Sequence, residues 1–262
     1  MDMRLIGWAG VELRDGGSSL VIDPLSDAGA VWAWAGDRAE SVPLPAVIPA
    51  EPGAAAGLVT HLHRDHADGP ALAAALARGA PILEPAPFGG GGLEEAALTV
   101  ADRELAETGR RRQTLTAWER VEIDGWSITA LPAADGPGDP QVSWLVTRGG
   151  ATVVHAGDTL VHGWWWRVAE RAQAPIDVAF LPVNGAHVDF PHRRPASPLR
   201  AAMNAEEAFT AATTMRARQL VPMHYGAYHF PPVYVPDPDP VGELRALGAD
   251  PLVPGLGEWF TP

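Results

Sequence analysis

A cluster of metal-capable side chains at residues 60–68 constrains the fold of this chain more than any other stretch. It contains three histidines and two aspartates: His61, His63, Asp65, His66 and Asp68. Imidazole and carboxylate are ordinary protein ligands of zinc, manganese and non-haem iron. So many of them within a few residues can converge only where the backbone bends, so the cluster predicts a loop.

The residues on either side of the cluster predict what that loop connects. Residues 57–60 are apolar and partly β-branched, as in a buried strand, and residues 69–78 are alanine-rich and opened by a proline, as at a helix start. On such a loop the first two histidines, two positions apart in extended chain, point to the same side. The turn then carries the following aspartate and third histidine towards a neighbouring point, which favours two metal ions over one.

Missing residue types narrow the chemistry. The chain has no cysteine, and all 19 of its basic residues are arginine. This excludes disulfides, thiolate nucleophiles and sulfur-ligated metals, and it also excludes a Schiff-base lysine and a Walker lysine. Any bound metal must therefore be held by nitrogen and oxygen atoms.

Charge and hydropathy bear on partners and location. The net charge of −13 weighs against a long nucleic acid, although a local basic patch at 110–112 or 193–194 could override it. The first of these runs is more simply a solvated surface face. No apolar run approaches the ~18 residues of a membrane helix. The N-terminus also lacks a secretory signal pattern. We therefore expect a cytoplasmic protein with no membrane partner that acts on a small molecule.

Apolar and alternating segments predict two halves, each with strands first and helices later. In the first half, strands are expected at 3–8, 10–13, 19–23, 57–60 and 81–84, and helices at 69–78 and 93–107. In the second half, a hairpin is expected within 114–131, strands at 142–147, 152–155, 177–183 and 219–223, and helices at 163–173, 204–216 and 242–247. Two irregular segments are expected as loops, 89–92 and the longer 25–52, which contains Trp32 and Trp34 and is a candidate cleft rim. The prediction is an α/β fold, a four-layer αββα sandwich of two mixed sheets with helices outside, forming a single domain over 1–262.

Four loops with metal-capable side chains each follow an apolar strand, so they can gather at one edge of the sandwich. Together they offer seven candidate ligands, too many for one tetrahedral ion and suited to two ions that share a bridge. Two divalent ions, three aspartates and a bridging hydroxide would also sum to a neutral centre. Metal binding lowers the pKa of water to about 7, so that hydroxide would be available as nucleophile at neutral pH. The candidates are His61, His63, Asp65, His66, Asp135, Asp158 and His224.

Several motifs together resemble the metallo-β-lactamase superfamily of metal-dependent hydrolases, in matching order over nearly the whole chain. They are the HxHxDH run at 61–66, the strand-end Asp23, the Gly-Asp-Thr turn at 157–159 and the Pro-Met-His-Tyr-Gly segment at 222–226. The resemblance implies the metallo-β-lactamase fold, with His61 and His63 on one metal. It also implies Asp65, His66 and His224 on the second metal and Asp158 as the bridge. We assign Asp65 and Asp158 catalytic roles as well.

Asp135 departs from the commonest pattern of that superfamily. Most members supply a third histidine to the first metal at this point, within a Pro-Ala-x-His-Gly-like loop, whereas residues 132–136 read Pro-Ala-Ala-Asp-Gly. An aspartate here resembles the branch that includes L-ascorbate-6-phosphate lactonase, as do Asn184-Gly185 and the helix start at 203–208. A carboxylate in place of an imidazole favours harder ions. The expected cofactor is therefore two divalent ions, Zn²⁺ or Mn²⁺.

Residues outside the seven ligands are candidates for supporting the site or binding substrate. Asp23 is either a turn cap or a support for the ligands, and His155 is either a packed side chain or such a support. In the aperiodic segment 184–203, Arg193 and Arg194 could clamp a phosphate or carboxylate, or simply be solvated. Three side chains are candidate proton donors to the leaving group: His187, Tyr225 and His229.

The pattern as a whole predicts a binuclear hydrolase that uses a metal-bridged hydroxide to cleave an ester-type bond, in a lactone or a phosphorylated carbohydrate derivative. Two alternatives stay open: a phosphodiesterase or nuclease of the same fold, and a non-catalytic metal-containing binding module. Periplasmic β-lactam hydrolysis is disfavoured because a signal segment is missing. A redox di-iron centre is disfavoured because His63 stands where related redox centres carry a carboxylate. Homo-oligomers are common among enzymes, but no feature specifies an interface.

Overall fold

Two six-stranded mixed sheets form the centre of the molecule. They are seen in a computed structural model that describes residues 1–86, 93–172, 174–190 and 194–262, with only the backbone for residues 93–97. The loop predicted at 89–92 lies outside the described residues. The predicted four-layer sandwich is confirmed, because helices cover the outer face of each sheet.

The first sheet is an antiparallel meander that continues as parallel strands. A two-residue turn at Gly16-Gly17 joins the second and third strands, and its φ values of +59° and +83° are ones that glycine adopts without strain. From the third strand onward every pairing is parallel. The strands in spatial order are β1 (Asp2–Gly7), β2 (Gly10–Asp15), β3 (Ser18–Ile22), β4 (Ala56–Leu58), β5 (Ile82–Glu84) and β6 (Arg112–Thr114).

The second sheet follows the same plan, antiparallel at its beginning and parallel towards its end. In chain order its strands are β7 (Arg120–Ile123), β8 (Trp126–Pro132), β9 (Val142–Arg148), β10 (Ala151–His155), β11 (Val178–Pro182) and β13 (Gln219–Met223). A small ribbon beside it pairs β12 (His187–Val188) with β14 (Tyr234–Val235).

Three apolar cores hold the layers together. The inner faces of both sheets share one core, in which Trp126, Trp144 and Phe180 are fully buried. The outer face of the first sheet packs on α1 (Gly69–Ala75) and α2 (Leu93–Glu107). That of the second sheet packs on α3 (Trp165–Arg171), α4 (Ala205–Met215) and α5 (Pro240–Ala246). No helix in the described ranges combines the length and apolarity needed to span a bilayer.

Side chains fix the helix ends that matter for the site. Asp68 caps α1 by accepting a hydrogen bond from the Ala71 amide at 2.8 Å, and the same carboxylate accepts from Ser26. Asn204 and Glu207 form a reciprocal capping box at the start of α4. The cap at α1 orients the helix that follows the histidine cluster.

Two sequence expectations are wrong in part. Segment 25–52 is not loop throughout, because 3₁₀-helical turns occupy Ala30–Ser41 with an interruption at Gly36. In the basic run at 110–112 only Arg111 is exposed, so the run is not a solvated face throughout. Arg110 donates to the carbonyls at the end of α1, and Arg112 pairs with Glu84 from the neighbouring strand. Three consecutive arginines carry no pattern that reveals such partners, which are distant in sequence.

Candidate metal centre

The ends of four strands bring the predicted ligands to one edge of the sandwich. The loop after β4 carries the histidine cluster, and the loops after β8 and β10 carry Asp135 and Asp158. His224 directly follows β13. Parallel neighbouring strands end at the same edge, so side chains from both halves meet there.

All seven predicted ligands fall into two groups in which the candidate ligand atoms lie within 4.8 Å of one another. These are the groups that the sequence predicts, and the roles of their members as metal ligands stay a prediction. One group is His61, His63, Asp135 and Asp158, and the other is Asp65, His66 and His224.

In the first group the donor atoms converge from three loops. The Nε2 of His61 lies 2.9 Å from Nδ1 of His63 and 3.6 Å from Oδ1 of Asp158. The Oδ1 of Asp135 is 3.9 Å from Nδ1 of His63. This oxygen is buried and has no hydrogen-bond partner among the described residues. An unpartnered buried carboxylate oxygen facing imidazole nitrogens fits a divalent cation between them.

In the second group two imidazoles face each other. Their Nε2 atoms, on His66 and His224, are 3.1 Å apart, and Oδ2 of Asp65 lies 3.7 Å from the first and 3.5 Å from the second. Two nitrogens and a carboxylate oxygen form a donor set of the kind that holds zinc or manganese. Both groups therefore fit divalent metal ions.

Hydrogen bonds behind the histidines set which ring nitrogen faces the centre. Asp23 accepts from Nδ1 of His66 at 2.8 Å, and Asp139 accepts from Nε2 of His63 at 2.8 Å. Asp23 also accepts from the Thr60 hydroxyl at 2.6 Å, and that hydroxyl lies 3.1 Å from Nδ1 of His61. Each of these imidazoles can thus donate its proton outward and turn its other nitrogen, with its lone pair, inward.

Trp8 braces the second group in three ways. Its indole Nε1–H donates to Oδ2 of Asp65 at 2.9 Å, and its ring lies 4.0 Å from the His224 ring, centroid to centroid. Its carbonyl accepts from the backbone N–H of His224 at 3.0 Å. On the far side of the imidazole, Nδ1 of His224 lies 3.1 Å from the Asn184 amide, which is 2.5 Å from the Tyr234 hydroxyl.

Backbone strain is concentrated in the same place. Trp8, Asp23 and His224 all have positive φ, at 40°, 45° and 60°. Such conformations are costly for residues other than glycine and persist where the surroundings fix them. Here the fixed backbone directs the candidate ligand His224 and the supporting residues Trp8 and Asp23 towards the centre.

The pKa values show how strongly the charges in the centre interact. Burial lowers the pKa of His61, and the nearby imidazoles of His66 and His63 add to the effect. At His63 and His66 burial acts in the same sense, but surrounding carboxylates outweigh it and raise the pKa values to about 10 and about 9. Burial raises the pKa of Asp135 to about 7. The carboxylates therefore demand compensating positive charge, which protons or metal ions can supply.

A cavity of about 150 Å³ opens onto both groups. Four candidate ligands line it: His63 and Asp158 from the first group, and Asp65 and His224 from the second. Its walls are mainly apolar and include Trp32 and other residues of the 25–52 segment. The expectation that this segment forms a cleft rim therefore agrees with the structure.

The predicted supporting residues have different positions. Asp23 contacts a ligand directly, as described above. His155 is buried and hydrogen-bonded to the Ala9 carbonyl at 2.8 Å and the Gly157 N–H at 3.3 Å, so it holds the strand end before Asp158.

Four of the residues predicted to contact substrate are not among the described residues that line the cavity, and their substrate roles stay a prediction. His187 and His229 are exposed and do not line the cavity, and Tyr225 packs against the outer core of the second sheet. Arg194 is not among the lining residues; its guanidinium pairs with Asp189 at 2.6 Å and donates to the carbonyl of Phe190, which does line the cavity. Arg193 lies outside the described residues. His187 points away from the cavity because successive side chains of a strand face opposite sides, and in β12 it is Val188 that lines the cavity. The sequence has no period that reveals this two-residue strand.

Other functional positions were missed by reasoning from sequence. They are Trp8, Thr60, Asp139, Tyr228 and Tyr234, all in contact with candidate ligands or with the cavity. Asp139 alone had a usable signal, as a carboxylate in the loop that carries Asp135. The others are ordinary residue types whose roles arise from contacts across the fold.

Comparisons with known proteins bear on the family of the chain. A family model described as "Beta-lactamase superfamily domain" matches residues 19–225. A UPF0173 metal-dependent hydrolase of Pyrobaculum islandicum is 30% identical over 243 residues, covering 91% of this chain and 89% of the relative. One from Symbiobacterium thermophilum is 29% identical over 265 residues, covering 100% of each. The crystal structure of isothiocyanate hydrolase from Delia radicum gut bacteria has a TM-score of 0.71 at 17% identity, covering 100% of this chain and 98% of that chain, a likeness of fold alone.

Proposed function

Because the chain belongs to the metallo-β-lactamase superfamily and to its UPF0173 metal-dependent hydrolases, we propose that it is a binuclear hydrolase that cleaves ester-type bonds, with lactones as its substrates. The observation that carries the proposal is the pair of ligand groups that share one cavity. A single metal would need only one of them. The resemblance to the L-ascorbate-6-phosphate lactonase branch remains a prediction, since the relatives bear the UPF0173 name.

Each group would hold one divalent ion, Zn²⁺ or Mn²⁺. The first would be held by His61, His63 and Asp135, the second by Asp65, His66 and His224, and Asp158 would bridge them. When bound, such ions polarise a carbonyl oxygen and lower the pKa of water to about 7. The oxygen of Asp135 in the first group keeps manganese a rival to zinc.

The chain's own residues would then position the reaction. Asp65 and Asp158 reach the cavity, so their carboxylates are the proposed acceptors for the proton that the attacking water loses. Trp8 keeps Oδ2 of Asp65 in place, and Gln141 does the same for Oδ1 of Asp158 at 2.9 Å. Hydrolysis adds one water across the acyl carbon–oxygen bond and yields a carboxylate and a hydroxyl.

The test is to remove metal with a chelator, restore zinc or manganese separately, and assay lactones, simple esters and phosphodiesters side by side. We expect two bound ions per chain and activity on acyl esters. Fewer than one bound ion per chain after reconstitution would contradict the binuclear model, and preferred cleavage of phosphodiesters would favour the phosphodiesterase alternative.

A variant series tests the assigned ligands. His61→Ala should abolish hydrolysis, because it removes a donor from the first group. The matched control is His162→Ala, since His162 stacks on Trp165, 4.2 Å away between centroids, and belongs to neither group. If His61→Ala hydrolysed its substrate as fast as the parent, the mechanism would be wrong.

A further inference from the structure

Resting on the proposed hydrolysis, we propose that the substrate is small and uncharged, with a planar apolar group beside the scissile bond that packs against an aromatic wall. This deepens the proposed function by assigning a substrate class to the cavity, and it departs from the anionic, phosphorylated substrate that the sequence allowed. The argument rests on the lining, the charges and the size of the cavity.

Aromatic and aliphatic side chains dominate the cavity wall. Its main members are Trp32, Trp34, Val188, Phe190, Tyr228 and Tyr234. Trp32 is 3% exposed and contacts several of the other rings edge-on, with centroid distances of 5.9 Å to Tyr228 and to Tyr234. Rings that pack on one another in this way form a rigid surface, and a planar apolar group gains from stacking on it.

The wall offers little to an anion. Among the described residues that line the cavity, Arg64 is the single arginine, and it is ion-paired with Glu104. In the segment expected to clamp an anion, Arg194 pairs with Asp189 and Arg200 pairs with Asp237 at 2.9 Å. The overall charge of −13 further disfavours the approach of anionic molecules.

The cavity also limits the size of the group it can enclose. Its volume of about 150 Å³ equals that of an engineered apolar cavity known to bind benzene. Trp34 lies at the opening, with 52% of its surface exposed, so a longer substituent would extend past its ring into solvent. One aromatic or cycloaliphatic ring next to the acyl group therefore fits.

Isosteric lactones of different charge test the proposal on the metal-loaded protein. The neutral 6-carboxamide of dihydrocoumarin and its 6-carboxylate have the same shape, and δ-valerolactone lacks the aromatic ring. We expect kcat/KM for the carboxamide to exceed that for the carboxylate by roughly a hundredfold, because an apolar wall disfavours a charge. Equal values, or a preference for the carboxylate, would overturn the proposal.

A tryptophan pair tests the wall itself. Trp34→Ala should raise KM for dihydrocoumarin by about tenfold, the loss expected for an aromatic contact and its buried area, and should change δ-valerolactone hydrolysis much less. Trp166→Ala is the matched control, because Trp166 is 64% exposed on α3 and does not line the cavity. Equal effects of the two substitutions on dihydrocoumarin would count against the wall.

A binding readout separates this inference from the proposed function. Calorimetric titration of the metal-loaded protein with 1-indanone, a neutral bicyclic ketone, and with glucose 6-phosphate needs no turnover. Binding of 1-indanone without hydrolysis of any lactone would support the wall and contradict lactone hydrolysis. Lactone hydrolysis with tighter binding of glucose 6-phosphate would overturn the substrate class and leave the hydrolase intact.

Discussion

Replacing Trp8 with phenylalanine should weaken metal binding at the second ligand group while leaving the fold in place. Phenylalanine keeps an aromatic ring beside His224 but removes the indole N–H that donates to Asp65. The Asp65 carboxylate then loses the bond that fixes its orientation. It must either turn away or meet the metal with a less favourable geometry.

The magnitude follows from the kind of hydrogen bond that is lost. The donor–acceptor distance is 2.9 Å and the acceptor is a carboxylate, and a bond to a charged group contributes about 1.5–3 kcal/mol. At about 1.4 kcal/mol per tenfold, this corresponds to an affinity about 10- to 100-fold lower. That range matches the usual effect of removing a hydrogen bond from a metal ligand.

The assay is a chelator competition that yields the dissociation constant of each ion, with Trp144→Phe as the matched control. Trp144 is fully buried, and its Nε1 has no hydrogen-bond partner in the described part of the chain. Both substitutions leave a similar void, so the difference between them isolates the bond to Asp65. If the two variants bound the weaker ion equally well, the reasoning about Trp8 would be refuted.

Two further predictions concern the charges of the centre. His63 and His66 have folded-state pKa values of about 10 and about 9, above the ordinary value of 6.5. Their protonation therefore stabilises the folded, metal-free protein fully below pH 6.5, and this stabilisation is lost as the pH rises to 9–10. Urea unfolding should therefore show lower stability at pH 9.5 than at pH 7 without metal, and a smaller difference with metal; an unchanged metal-free value would contradict this. Asp135→His should shift the bound metal from manganese towards zinc, measured by elemental analysis after equilibration with an equimolar mixture, because imidazole is a softer ligand than carboxylate. An unaltered metal ratio would show that this position does not set the preference.

The fold and the ligand groups could be predicted because their signals are local. The periodic spacing of apolar residues predicts the strands and helices, and the cluster at 61–66 places several metal-ligand donors on one loop. The distant partners Asp135, Asp158 and His224 each stand directly after an apolar strand, so strand order alone brings them together. The same local signals predict the four-layer fold, and the structure confirms it.

The supports and the cavity wall could not be predicted because they depend on contacts between distant segments. Trp8 meets Asp65 across 57 positions of sequence, and Tyr234 reaches Asn184 across 50. Neither residue type signals such a role. Conversely, Arg194 looked suited to bind an anion, yet Asp189 nearby engages its charge. Residue chemistry showed what a side chain could do, whereas packing decided which atoms it meets.

The division of the ligands between the two halves of the sandwich has a mechanical consequence. His66 belongs to the first half, and its partner His224 lies 158 positions later in the second. An ion held by both would link the two halves. A permanent link that closes a loop of that length lowers the conformational entropy of the unfolded chain and raises its free energy by about 5 kcal/mol. The ions that activate water would thus also act as reversible cross-links. The supply of metal would then set how stable the two halves are against separation and unfolding.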